Sequence, residues 1–170
     1  GISWQVFSEN LPNVAVHDLV IQPTAKHLLL GTHGRSIYKA DIAPLQELTS
    51  EVASKSVHIF EIENIRKSNN WGSSWSPWRA PNLPKVTIPF YLNTSKKVTI
   101  AIFDGDLKVH SMSADADKGF NEVVYDVSFS DKGRKSYQKV NKEVTLSEAK
   151  NGVYYLPKGT YTVHIEEASS

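Results

Sequence analysis

The 170-residue chain contains no cysteine. That excludes disulfides, a thiolate nucleophile and any cysteine-ligated metal, and it leaves the compartment open. An excess of one charge is also missing. Nineteen Lys and Arg against eighteen Asp and Glu leave a net charge of +1, whereas a dedicated nucleic-acid binder needs a basic patch to neutralise phosphates. No apolar run approaches the roughly 20 residues of a membrane-spanning helix, so no membrane span is expected. The first ten residues, GISWQVFSEN, lack the charged-then-apolar layout of a signal peptide. There is no internal repeat and no long disordered tract. The six histidines show no metal-ligand spacing, and no serine sits in a nucleophile-elbow motif. No catalytic residue, metal site or cofactor is therefore assigned.

What is present is ordinary for a globular chain: 40% hydrophobic and 22% charged residues, with length for one domain and a smaller appendage. Residues 1–43 read as short strands at about ten-residue spacing with turn residues between them, an all-β signature. The runs are 4–7, 16–21, 27–31 and 35–41, punctuated by Asn10-Leu11-Pro12-Asn13 and Gln22-Pro23-Thr24. Gly31-Thr32-His33-Gly34-Arg35 is a glycine-bracketed polar turn between two apolar runs, a place that needs backbone freedom.

Val14-Ala15-Val16-His17-Asp18-Leu19 followed by GTHGRSIYKAD (31–41) resembles the last blade of sortilin-type, BNR-repeat (Asp-box) β-propellers of the glycosyl-hydrolase-like kind. The resemblance makes His17, Asp18, Gly31, His33, Gly34 and Arg35 a structural motif of the repeat and assigns them no chemistry. It also implies that the chain comes from the tail of a larger protein, with upstream blades as its partners, in a secreted, periplasmic or cell-surface setting. The Asp box that would precede Trp4 is missing. One blade without neighbours leaves both sheet faces uncovered, so residues 1–43 are expected to pack on the rest of the chain or to self-associate.

Residues 43–53 suit a short helix, with Pro44 in its first turn and Leu45, Leu48 and Val52 on one face. A strand over 57–62 follows. Residues 49–85 as a whole read as a linker that ends in a Trp- and Pro-rich loop, NNWGSSWSPWRAPNLPK (69–85). From 86 to 170 the pattern is continuous β. Pro89 suggests an edge strand over 87–92, Val98, Ile100 and Ile102 alternate inward, and Asp104-Gly105-Asp106 turns a hairpin into 107–112. Residues 122–129 form a further strand, 131–134 a polar loop, and 144–153 is open between helix and loop. Strands 153–156 and 160–165 pair across Pro157-Lys158-Gly159. This arrangement implies a β-sandwich. Its motifs, including GFNEVVYD (119–126) and LPKGTYTV (156–163), resemble the immunoglobulin-like, fibronectin III-related domain that closes many BNR-repeat proteins, with Tyr125 where that pattern has tryptophan. The expected class is all-β, a partial β-propeller blade (1–48) followed by an immunoglobulin-like β-sandwich (86–170).

The candidate ligand contacts are Trp71, Trp75, Trp78 and Arg79. Indole faces stack on sugar rings and a guanidinium bonds hydroxyls or carboxylates, so a glycan is the candidate partner. The alternative is that the tryptophans cover a seam between the two parts of the chain. Ser36, His33 and Asp18 can be written as a nucleophile, base and orienter, but blade-loop hydrogen bonding explains the same residues. Asp104 with Asp106, and Asp115 with Asp117, lie at hairpin tips and not on the concave surface that glycosidic cleavage needs. Asp115 to Gly119 with Asp126 departs from a calcium loop by its misplaced glycine. Asn93-Thr94-Ser95 fits an N-glycosylation sequon. These readings give a non-catalytic module that closes a propeller and contacts a glycan. A carbohydrate- or protein-binding module in its own right, or part of a glycoside hydrolase with its carboxylates upstream, are the alternatives.

Overall fold

The computed structural model describes residues 11–167, so the strand expected over 4–7 lies outside the described residues. The chain is mostly strand, in three antiparallel sheets, and divides into two compact units, Gly1–Thr49 and Ser50–Ser170.

The first unit is a three-stranded meander: β1 (Val16–Gln22), β2 (His27–Thr32) and β3 (Ile37–Asp41), in that spatial order. The strands end where the turn chemistry predicts. The Gln22 side chain accepts from the Ala25 amide, and Lys26 adopts a left-handed φ of 53°. In the second turn Gly34 has φ 67° and Ser36 has φ 90°, while Gly31 stays inside β2 opposite Asp18. The turn thus needs one of its two glycines, and Ser36 supplies the second positive φ. Both faces of β1 are open: Leu19, Val20 and Ile21 are all more than half exposed, and Ile37 of β3 is 73% exposed. The sheet then leads into α1 (Ala43–Glu47), started by Asp41, whose carboxylate accepts from the Ala43 amide at 2.8 Å. The single helix face expected over 43–53 is broken at Leu48, whose ψ of 85° is not helical, and α2 (Ser50–Ser54) begins the second unit.

The second unit has two three-stranded sheets. One has the order β4 (Val57–Ile59), β5 (Val86–Leu92), β8 (Gly119–Tyr125). The other has the order β7 (Leu107–Ala116), β6 (Lys96–Asp104), β9 (Thr162–Glu167). Alternation decides which residues go inside, because successive side chains on a strand point to opposite faces. Ile88, Phe90 and Leu92 from the first sheet join Val98, Ile100, Ile102, Val109 and Ile165 from the second in one core.

Four expectations are corrected here. Within 49–85, read as a linker with a short helix, a strand and the aromatic loop, the strand is shorter than 57–62 and belongs to a sheet, since β4 pairs with β5, and Trp71 enters the core. Pro89 lies in the central strand of its sheet and not at an edge. β4 has already ended at Ile59, and the Pro89 carbonyl accepts from Phe60 at 3.0 Å, so the missing N–H falls where the ladder stops. Residues 131–134 open a helix, α3 (Asp131–Val140), capped by the Ser130 hydroxyl accepting from the Gly133 amide at 3.1 Å. Finally, 153–156 and 160–165 do not form a hairpin. Residues 154–156 bond to 127–129, by Phe129 N to Tyr154 O and Leu156 N to Val127 O, both 2.9 Å, while β9 pairs with β6 in the other sheet. The intervening corner is tied by the Tyr161 hydroxyl, which donates to the Pro157 carbonyl at 2.9 Å.

Candidate ligand-contact site

The aromatic loop is built from its base. Trp71 is buried, packs edge-on against Tyr155 with ring centroids 5.7 Å apart, and carries the Lys67 ammonium 5.4 Å above its ring. Gly72 follows with φ 75°, so close to Ala149 and Asn151 that a side chain there would overlap both. The base is then closed by two backbone bonds: Gly72 N to Asn82 O at 2.8 Å and Asn82 N to Ser73 O at 2.9 Å. Beyond this closure the chain turns once more, with Arg79 N bonding Ser76 O at 3.1 Å. Trp75 and Trp78 stand on that tip, each 93% exposed.

The three tryptophans proposed together from the sequence therefore separate. Trp71 is a core residue whose rim lines a cleft, whereas Trp75 and Trp78 are two bare indoles on the tip, with Arg79, next in the chain, exposed as well. Two indoles in water amount to several hundred Å2 of mostly apolar area, an unusual amount for one short loop. They are presented by an anchored loop, which lowers the ordering entropy that a ligand must overcome.

The motif residues of the first unit are brought together only in part. His17 sits at a bulge, where Val16 faces Thr32 and Asp18 faces Gly31, and its ring lies 5.1 Å from that of His33. Asp18 turns back onto the Leu19 amide at 2.8 Å, and the Ser36 carbonyl accepts from the Thr32 hydroxyl at 2.6 Å. Asp18 therefore does not orient His33, and no Ser–His–Asp relay is set up. Arg35 is exposed beside Gly34.

Asp104 and Asp106 flank Gly105 at the β6–β7 hairpin, as expected. In the β7–β8 turn, Asn121 accepts from the Asp117 amide at 3.0 Å and donates to the Asp117 and Gly119 carbonyls. Asp126 is engaged elsewhere, accepting from the Ser128 amide at 3.2 Å and hydroxyl at 2.6 Å. Among the described residues no group of three or more His, Asp or Glu is placed to hold a metal ion.

Sequence reasoning missed one buried polar cluster. His110 of β7 lies 4.8 Å from the Tyr125 ring, and the Tyr125 hydroxyl donates to the Ser128 carbonyl. Between them Val127 holds a φ of 60°, unusual for a β-branched residue. His110 Nδ1 is buried with no hydrogen-bond partner among the described residues. Burial lowers the His110 pKa, against a smaller opposing effect of the Asp126 charge. Ser128 is buried and donates to Asp126, so the cluster is a structural knot and not a nucleophile with its base. Because the folded pKa lies below that of the unfolded chain, the unfolded state binds the proton first. Stability is therefore full above about pH 6.5 and declines as pH falls below it, by at most about 1.4 kcal/mol per unit. Urea midpoints measured between about pH 7.5 and 5.5 are expected to fall less for His110→Gln than for the native chain; parallel curves would contradict this assignment.

The fold and site define a β-rich chain with an anchored aromatic loop. Comparison with protein-family models, curated proteins and solved structures returns no match.

Proposed function

We propose that the chain is a non-catalytic, ligand-contacting module of a larger repeat protein, and that its second unit meets a glycan through Trp75, Trp78 and Arg79. The observation that carries this reading is the pair of bare indoles on a loop closed at its base by the Gly72–Asn82–Ser73 bonds. A pyranose presents an apolar C–H face to an indole and hydroxyls to a guanidinium, so these three side chains match its chemistry.

Two further observations support the parentage. The meander of β1, β2 and β3 exposes apolar residues on both faces, as a propeller blade does before its neighbours cover it. In the second unit, the sheet orders β4-β5-β8 and β7-β6-β9, and the Tyr161 hydroxyl bonded to the Pro157 carbonyl, fit an immunoglobulin- or fibronectin III-like sandwich with its tyrosine corner. On this reading upstream blades are the partners of the first unit, and any glycosidic chemistry belongs to them. The secreted or cell-surface setting follows from the same parentage.

Tryptophan fluorescence tests the contact. β-Linked gluco-, xylo- and N-acetylglucosamine oligosaccharides at millimolar concentration are expected to shift or quench the emission of the native chain. The Trp75→Ala/Trp78→Ala variant should not respond. No change with any of these sugars, or an equal change in the variant, overturns the glycan reading.

A further inference from the structure

A cleft of about 410 Å3 opens beside Trp71 in the second unit, between segments 67–73, 144–150 and 155–157. The loop tip is not part of it, and of its lining only Trp71 was a candidate ligand contact from the sequence. Its volume falls in the range of small-molecule sites, about 300–1,000 Å3. Its chemistry is uneven. Lys67 stands over Trp71 and is fixed by one bond, from Nζ to the Leu156 carbonyl at 2.8 Å, which leaves two ammonium protons for other acceptors.

Lys67 is an exposed residue whose ammonium is only partly covered, by Trp71 and the Leu156 carbonyl. No carboxylate among the described residues lies within ion-pair distance of it, and the partial covering lowers its pKa. A partly covered ammonium with one backbone bond and no counter-charge still has donors to offer an anion. Lys150 adds a second cation to the same lining. The one carboxylate there, Glu148, is turned to the Tyr154 hydroxyl at 3.1 Å, and Tyr154 in turn lies under the Arg134 guanidinium at 4.3 Å. The remaining polar wall includes Ser73 and Ser147, hydroxyls that both donate and accept.

We propose that this cleft binds a carboxylate-bearing saccharide, a uronic acid unit, with the carboxylate on Lys67 and the ring hydroxyls on the serine-lined wall beside Trp71. A pyranose ring sets several hydroxyls beside its carboxylate, a denser match to the ammonium and the serine hydroxyls than a short acidic peptide offers, which is why the saccharide is favoured. The site stands apart from the indole pair, and the two are separable by experiment.

Calorimetric or NMR titration of the full chain would use a galacturonic acid trimer, its methyl ester and a triglutamate peptide. The trimer is expected to bind at millimolar concentration or better, and the ester and the peptide about tenfold or more weakly. Lys67→Gln, which removes the charge and is checked for native folding, should lose about tenfold in affinity for the trimer. The Trp75→Ala/Trp78→Ala variant should bind it as the native chain does. Absence of binding, equal binding of the ester or the peptide, or an unaffected Lys67→Gln overturns the proposal. Loss of binding in the double tryptophan variant overturns it too, because the ligand would then sit on the tip. That variant also keeps this proposal distinct from the glycan reading above, which predicts a response only while the indole pair is intact.

Discussion

Trp71→Ala is expected to destabilise the second unit by about 3–5 kcal/mol, while Trp75→Ala and Trp78→Ala stay within about 0.5 kcal/mol of the native chain. Trp71 is 8% exposed and contacts the core ring of Tyr155. Truncating it removes a large apolar side chain and leaves a cavity that Gly72, pressed on Ala149 and Asn151, cannot move in to fill. It also strips the Lys67 ammonium of the ring beneath it. Trp75 and Trp78 have almost nothing to lose, since their area is in water in the folded chain as in the unfolded one. Denaturant unfolding monitored by far-ultraviolet dichroism measures all three variants against one baseline. A small loss for Trp71→Ala would mean that the loop base is not built as described. A loss of 2 kcal/mol or more for either tip residue would mean that the indole is covered, and the glycan surface would go with it.

This contrast shows where sequence reading reaches its limit. All three tryptophans lie in one seventeen-residue stretch with no period, and residue type alone treats them alike. What separates them is the docking of Gly72 against 149–151, a contact between segments far apart in the chain. Strand 98–102 was legible because its alternation states its own orientation, and Ile100 is fully buried as that pattern requires. The tail misled for the opposite reason. Pro157-Lys158-Gly159 has good turn chemistry, but turn chemistry does not choose the partner strand. The choice falls to the ladder between β6 and β9 and to the Tyr161 corner. Pro89 misled in a subtler way, since the rule about edges holds for its nitrogen while the strand as a whole is central. Lys67 gave no signal at all. An exposed lysine becomes informative only when Trp71 and the Leu156 carbonyl are found beside its ammonium.

Gly133→Ala is the second large expected effect, and its sign is the opposite of what helix propensity predicts. In a solvent-facing helix, replacing glycine by alanine gains up to about 1 kcal/mol. Gly133 instead lies in the first turn of α3 against the bulge of β7, where Ile102 faces His110, Phe103 faces Lys108, and Val109 is left without a partner of its own. The freed Val109 carbonyl accepts from the Ser130 amide at 3.1 Å and from its hydroxyl at 3.3 Å, so the helix cap and the bulge are one joint. A Cβ on residue 133 would overlap the Val109 carbonyl and lie 2.8 Å from its Cα. These are backbone atoms in a strand paired to β6, and they cannot rotate aside. Overpacking costs about 1–3 kcal/mol where neighbours can adjust, and pushing α3 away forfeits the cap as well, typically about 1 kcal/mol. The expected loss is therefore about 3–4 kcal/mol, read as a lower urea midpoint, with Ser130→Ala losing about 1 kcal/mol and Lys135→Ala, on the exposed side of α3, nearly nothing. A stabilised Gly133→Ala would show that α3 does not press on β7. A loss confined to amide protection in α3, with the midpoint unchanged, would show that the helix detaches without the sheets it caps.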